Sequence, residues 1–315
     1  MKNTVWLFAF SLLVTGCLQE SESDLDRTIK RDDALVEDYI SSNAIDATKA
    51  QTGFYYKKTV SKPENTQFSN GDFIGIYYEI KSLDGQLIDT YMDETKEPLI
   101  FKYSQDGLWP IVVAYAAGLS RVGEEMQVFS PSYLAYGSYG YEQLILPSSN
   151  LDIKVKFVEK YSEDGLKERE REKILQFINE NELEGFEEVE EGIFIRTVEE
   201  GDETKTQSKT GSNLTFDFKL FEMGANSPLM DSFASSQPAS MSVGNSDLEF
   251  LNEGLKGVFP EQELEIIASS FNAYEGSIQI IPNEVRSDLV EKGEQIDRVK
   301  PFTPIWFKAE IRTVQ

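Results

Sequence analysis

Hydrophobic and polar positions along this chain change period several times, and each change marks an element. From Phe73 to Ile80 apolar residues dominate at strand spacing, then Leu83-Asp84-Gly85 interrupts and Gln86 to Thr90 returns, which predicts a β-hairpin. The stretches Asp32 to Asn43 and Ser162 to Asn181 space their apolar residues at helical period and stop at an asparagine, which predicts two amphipathic helices. Short strands are expected at Phe54 to Val60 and Ile193 to Val198. Trp109 to Leu119 is apolar and carries Gly118 near its end, as one short buried helix would. Strands at Glu125 to Phe129, Leu151 to Val158 and Ile305 to Ile311 complete the set. An antiparallel sheet with one helix across it is an α+β arrangement.

These elements occur twice. Asp38-Tyr-Ile-Ser-Ser-Asn43-Ala-Ile45 before Gly53-Phe54 returns as Gln176-Phe-Ile-Asn-Glu-Asn181-Glu-Leu183 before Gly192-Ile193. Gly71 to Tyr78 matches Gly211 to Phe218, Leu87-Ile88-Asp89 matches Leu229-Met230-Asp231, Gly118-Leu119 matches Gly254-Leu255, and Ala135-Tyr136 matches Ala273-Tyr274. Matches in one order at a spacing of about 140 residues describe two copies of one unit.

The N-terminus has a different character. Lys2 precedes an apolar run from Val5 to Val14, and Thr15-Gly16 stand before Cys17, the order of a signal peptide. The run is too short to span a bilayer, which takes roughly 20 residues. Val14-Thr15-Gly16-Cys17 resembles the lipobox of bacterial lipoproteins, which implies cleavage before Cys17 and a diacylglycerol on its thiol. Leu18 to Arg31 is polar and without periodicity, as a tether would be. The domain reading is therefore signal peptide 1–16, lipidated tether 17–31, a first unit with its helix over 32–161, and a second over 162–315.

Charge narrows the partners. Thirty Lys and Arg face 55 Asp and Glu, a net charge of −25. Loss of residues 1–16, which hold only Lys2, leaves 29 against 55. Such a chain repels nucleic acid and anionic headgroups, so membrane attachment is expected through the lipid. Cys17 is the single cysteine and there is no histidine. That composition removes the commonest general base and metal ligand, as well as thiolate and Ser-His chemistry. The acidic clusters Asp93-Glu94, Glu187-Glu188 and Glu190-Glu191 lack the glycine-punctuated spacing of a calcium loop and read as solvated faces. No cofactor and no metal is expected.

The first unit carries an ordered set of residues: Gly71-Asp72, Tyr78, Asp84-Gly85, Asp89, Gly118-Leu119, Val122-Gly123-Glu124, Pro131, Leu134-Ala135-Tyr136-Gly137 and Ile145-Leu146-Pro147 before Leu151. In order and spacing this resembles the FK506-binding-protein (FKBP) type of peptidyl-prolyl isomerase over about Gly71 to Tyr161. With the signal and Cys17, the chain looks like the FKBP-like lipoproteins of Bacteroidetes associated with secretion and gliding motility. The resemblance implies two tandem FKBP-like units and a proline-binding pocket in the first. Tyr78, Asp89, Val112 and Tyr136 would act on the substrate, with Tyr78 orienting Asp89, Val112 N–H gripping one carbonyl and the Tyr136 hydroxyl a neighbouring one. Phe101, Ile111, Tyr115, Leu146 and Ile153 would line the pocket, with Tyr115 as its floor. The chain departs from the family at Ile88 and Leu99, where aromatic residues are usual, at Tyr115 in place of a tryptophan, and at Val113-Ala114 in place of a glycine.

In the second unit Asp231 and Tyr274 persist, but Phe218 replaces the tyrosine and Asp247, Leu248 and Leu251 replace the pocket wall and floor, so this copy is expected to be inactive. An inserted stretch, Ser277 to Lys300, contains Ile278-Gln-Ile-Ile-Pro282 and a charged, helix-like segment; it reads as an elaborated surface loop, with a place where the domain meets a partner as the other reading. Two functions follow from the resemblance. One is a lipid-anchored envelope isomerase acting on proline-containing clients at the outer membrane, facing the periplasm or the cell surface. The other is a non-catalytic binding subunit of an outer-membrane secretion or motility complex.

Overall fold

The computed structural model describes residues 23–105 and 107–315, so the signal peptide, Cys17 and the tether as far as residue 22 lie outside the described residues. The first helix, α1 (Asp24–Ser42), begins eight positions before its expected start at Asp32 and takes up residues 24–31 of the expected tether. A capping box explains the early start. Asp26 N–H donates to Ser23 Oγ at 3.1 Å while Ser23 N–H donates to Asp26 Oδ2 at 3.3 Å, satisfying two otherwise unpaired donors. The helix buries Asp32, Val36 and Ile40, one face at i, i+4 and i+8. It stops at Asn43, whose side-chain amide donates to Tyr39 O at 2.8 Å.

The first unit continues through β1 (Thr48–Lys49), β2 (Tyr55–Val60), β3 (Phe73–Ser82), β4 (Leu87–Tyr91), β5 (Leu99–Lys102), β6 (Leu108–Trp109), α2 (Val112–Gly118), β7 (Glu124–Ser130) and β8 (Leu151–Tyr161). Its antiparallel sheet runs β1-β2-β7-β8-β3-β4, with β5 also on β3. In β8, Leu151, Ile153, Val155 and Phe157 point inward at period two and form the floor on which α2 packs.

The second unit repeats this plan with α3 (Glu163–Glu180), β9 (Glu187–Glu190), β10 (Ile193–Glu199), β11 (Asn213–Glu222), β12 (Met230–Asp231), α4 (Ser232–Ser235), β13 (Ala239–Ser242), α5 (Glu249–Gly254), β14 (Glu263–Ala268), β15 (Gln279–Ile280), α6 (Glu284–Glu291) and β16 (Ile305–Val314). Its main sheet runs β12-β11-β16-β14-β10-β9 with β13 on β11, the order of the first sheet element for element. The copying extends to single bonds. Asn181 donates to Phe177 O at 2.8 Å as Asn43 does to Tyr39 O. Asp32 accepts from the backbone N–H and hydroxyl of Ser132, and Glu170 accepts both from Ser270 at 2.7 Å each. Each tie fastens the unit's helix to the short turn that follows β7 or β14.

One strand breaks the separation of the units. β15 belongs to the second by sequence but pairs in parallel with β6 of the first, Gln279 opposite Leu108 and Ile280 opposite Trp109. The peptides Trp109–Pro110 and Ile281–Pro282 are cis. The stretch expected as a surface loop therefore lies against the first unit, where Ile280, Ile281 and Val285 join the core cluster of Tyr78, Val112, Tyr136 and Ile153. Among the described residues no helix is long and apolar enough to cross a membrane.

Candidate functional site

The hairpin of β3 and β4 brings Tyr78 and Asp89 together, because Ile80 pairs with Asp89 and Tyr78 with Tyr91 across the strands. Tyr78 O–H donates to Asp89 Oδ2 at 2.8 Å, and Thr90 N–H donates to Oδ1 at 2.7 Å. Burial raises the Asp89 carboxyl above the ordinary aspartate range, the two hydrogen bonds oppose that rise, and the charge of Glu284 adds to it. Burial, with the adjacent carboxylate, pushes the Tyr78 phenol up, so it remains a protonated donor.

Tyr136 follows the short turn Ser132–Leu134 after β7, which swings its ring under Trp109 in an edge-to-face contact at 5.2 Å. Buried at 3% exposure, its hydroxyl donates to the carbonyl of Ile281 at 2.7 Å. Burial also holds this phenol well above its usual titration range. The site thus presents two phenolic donors and one carboxylate in an apolar cluster. Such a set can bind and orient peptide carbonyls without moving a proton.

The remaining expected residues divide. Phe101, Val112 and Ile153 are fully buried in the same cluster as Tyr78 and Tyr136, and Ile111 sits half-buried at the N-cap of α2. Tyr115, the expected floor, is half-buried, packs against this same cluster and also lines a groove of about 490 Å³ with Ala50, Phe54, Tyr56 and Tyr103. In α2, Val112, Val113, Ala114, Ala116 and Ala117 are buried, and Tyr115 sits half-buried at the edge of that face. Leu146 is 46% exposed, while its neighbour Ile145 is the buried member of the pair. The backbone partners of the peptide at Tyr136 are also unexpected: Ile281 N–H donates to Trp109 O at 2.9 Å and Gln279 N–H to Gly107 O at 3.0 Å.

In the second unit the corresponding groups are differently engaged. Phe218 stacks on Phe307 at 5.4 Å. Asp231 caps α4 by accepting from Ala234 N–H at 3.0 Å and lies 3.6 Å from Lys219. Tyr274, half-buried, is pushed up to about 12 by burial and the nearby charge of Asp297. Asp247 is exposed. Among the described residues, Glu190, Glu249 and Glu253 bring one carboxylate oxygen each within 4.8 Å of one another on the surface. Asp93 and Glu94 are taken up by Thr95 and Lys156.

A sheet wrapped on one short helix, with a Tyr–Asp pair in the hairpin and a buried tyrosine opposite, makes the first unit an α+β domain. Residues 64–177 match the family model of the FKBP-type peptidyl-prolyl cis-trans isomerase, a stretch that takes in most of the first unit and runs into α3. Over 88 residues the chain is 31% identical to peptidyl-prolyl cis-trans isomerase FKBP11 of Bos taurus, a stretch that is 28% of this chain and 42% of that relative. Among solved structures, the three FKBP domains of wheat FKBP73 align at 12% identity with a TM-score of 0.32, over 84% of this chain and 96% of that one. FkpA from Escherichia coli aligns at 22% identity with a TM-score of 0.36, over 43% and 62%.

Site residues that sequence reasoning missed are Trp109, Tyr139, Ile280, Ile281 and Pro282. A signal existed in Ile278-Gln-Ile-Ile-Pro282, a strand-like run closed by a proline, but nothing local says which sheet it joins.

Proposed function

We propose that the first unit binds and isomerises X-Pro segments of polypeptides, and that the chain is a lipid-anchored folding factor of the bacterial envelope. One observation carries the catalytic part: the Tyr136 hydroxyl is bonded to the carbonyl of the residue directly before a proline, Ile281 before Pro282, beside the Tyr78–Asp89 pair. Rotation about an X-Pro bond meets a barrier of about 18–20 kcal/mol set by amide resonance. The twisted amide has lost that resonance, so an apolar, water-poor pocket favours it over the planar ground state. Tyr136 fixes the carbonyl side of the bond, and the Tyr78–Asp89 pair holds the polar edge of the pocket in one arrangement. The reaction moves no proton, and a chain without histidine suits it.

The anchor rests on the order of charge, apolar run and Cys17 at the N-terminus, and the strong acidity of the rest makes that lipid its means of staying at the outer membrane. Proline-containing polypeptides emerging there are its clients. A second reading is a binding subunit of an outer-membrane secretion or motility complex. The second unit favours it, since Phe218 cannot orient an acid and Asp231 is committed to a helix cap.

The test is cis–trans exchange of a proline-containing peptide, measured by NMR line shape with the intact chain and with a chain carrying Ile281→Ser. Acceleration that Asp89→Ala and Tyr136→Phe both reduce is expected. No acceleration by either protein would sink the enzyme and leave the binding subunit.

A further inference from the structure

The segment from Ser277 to Glu291 belongs to the second unit by sequence and to the first by contact. Ile280 and Ile281 are buried at 2% and 1% exposure among first-unit side chains. The segment lies as an added strand on Leu108–Trp109, through the bonds from Gln279 and Ile281, and its Ile281 carbonyl takes the Tyr136 hydroxyl. Strand addition with side chains in a pocket is a general way for a domain to hold a peptide. Beyond Pro282, α6 is latched to the same unit: Tyr139 O–H donates to Asp288 at 2.6 Å, and Lys292 sits 4.7 Å over the Tyr139 ring.

The base of this excursion is closed within the second unit. Ser277 Oγ donates to Val299 O at 2.9 Å, and Arg286 bonds Asp297 O at 2.8 Å and also Ile278 O. Val299 is part of the second core. The tip can therefore leave the first unit while its base stays folded.

We propose that Ile278–Pro282 is a resident ligand of the prolyl site, which clients reach only by displacing it. The inference rests on reading the first unit as a proline-binding site, and it names the client chemistry: an extended segment with two bulky aliphatic residues directly before proline. A tethered competitor acts at an effective concentration of about millimolar, so weak client segments are turned away and multivalent or tightly binding ones enter. The apparent affinity for any client falls by the fraction of chains that are open.

The test uses the chain from Ser23 onward and a fluorescein-labelled peptide with the sequence of residues 277–284, read by anisotropy. The released variant, Ile280→Ser with Ile281→Ser, is expected to bind the peptide at least ten times more tightly than wild type, and adding Tyr136→Phe should weaken that binding again. Equal affinity of wild type and released variant, or no binding to a released variant that melts like wild type, overturns the proposal. Should the released variant not fold, Asp288→Ala removes only the latch and should tighten peptide binding about threefold; no change would overturn the proposal. Peptide exchange separates this inference from the isomerase reading. A released variant that binds but does not accelerate exchange sinks the enzyme and leaves the resident ligand. Equal peptide binding in two proteins that both accelerate exchange does the reverse.

Discussion

The two units share strand order, helix caps and a buried acid–serine tie, yet the three positions of the candidate site are engaged differently in each. Tyr78, Asp89 and Tyr136 meet in one apolar cluster, whereas Phe218, Asp231 and Tyr274 are spent on stacking, capping and a separate environment. The residues that hold the fold are thus separable from those that make the site. Substitution should expose the separation most strongly in turnover. Asp89→Ala with Tyr136→Phe removes a charge-assisted hydrogen bond and a carbonyl donor, and is expected to lower kcat/KM for a proline peptide by about a hundredfold, near 2.7 kcal/mol. Asp231→Ala with Tyr274→Phe should leave kcat/KM within about twofold. Equal losses from the two pairs would break the comparison.

The shared scaffold should respond the other way, alike in both units. Asp32→Ala leaves the buried Ser132 hydroxyl without its acceptor while the Ser132 N–H keeps Asn150 Oδ1, and Glu170→Ala leaves both the N–H and hydroxyl of Ser270 unpaired, at a cost of about 1–2 kcal/mol each in urea unfolding. Here pH adds a distinction. Burial raises the Glu170 carboxyl above its ordinary value of 4.5, with the Ser270 bonds opposing. Between that value and the raised one the folded state holds the proton more tightly than the unfolded chain. Glu170 therefore lowers stability progressively as pH climbs through this window, and its contribution is constant above it. Glu170→Gln should flatten the profile there. A profile unchanged by that substitution would remove Glu170 as the source. Smaller still, Asn43→Ala and Asn181→Ala each delete one side-chain bond to a helix-end carbonyl and should cost about 1 kcal/mol.

Much of this was legible in the residues because it is local. The β3–β4 hairpin lies within a residue or two of where the pattern puts it, and the repeat is a matter of residue order. The start of α1 was obscured by the polarity of residues 24–31, which outweighed the Ser23–Asp26 capping signal. Leu146 turns on a single position: it is 46% exposed while its neighbour Ile145 is fully buried, and no period in that irregular stretch says which of the two faces inward. The docking of Ile278–Pro282 was beyond reach for another reason. Tyr136 and Ile281 are 145 positions apart, and no period or cap records a contact of that range.

The finest test of the comparison restores the missing phenol. Phe218→Tyr recreates the residue that orients Asp89 in the first unit, and if residue identity alone made the site, the second unit would gain peptide binding. The geometry argues against a gain. The Asp231 carboxylate is directed to Ala234 N–H and toward Lys219, and the residue opposite it in β11 is Lys219, where Ile80 stands opposite Asp89 in the first unit. A phenol added at 218 meets an acid already committed, in a stack whose partner Phe307 would have to give way. In a chain already carrying Asp89→Ala and Tyr136→Phe, Phe218→Tyr should therefore leave exchange at background and change stability by less than about 1 kcal/mol. Recovered exchange would show that one hydroxyl separates the two units, and that the capping of α4 gives way when a better donor is offered.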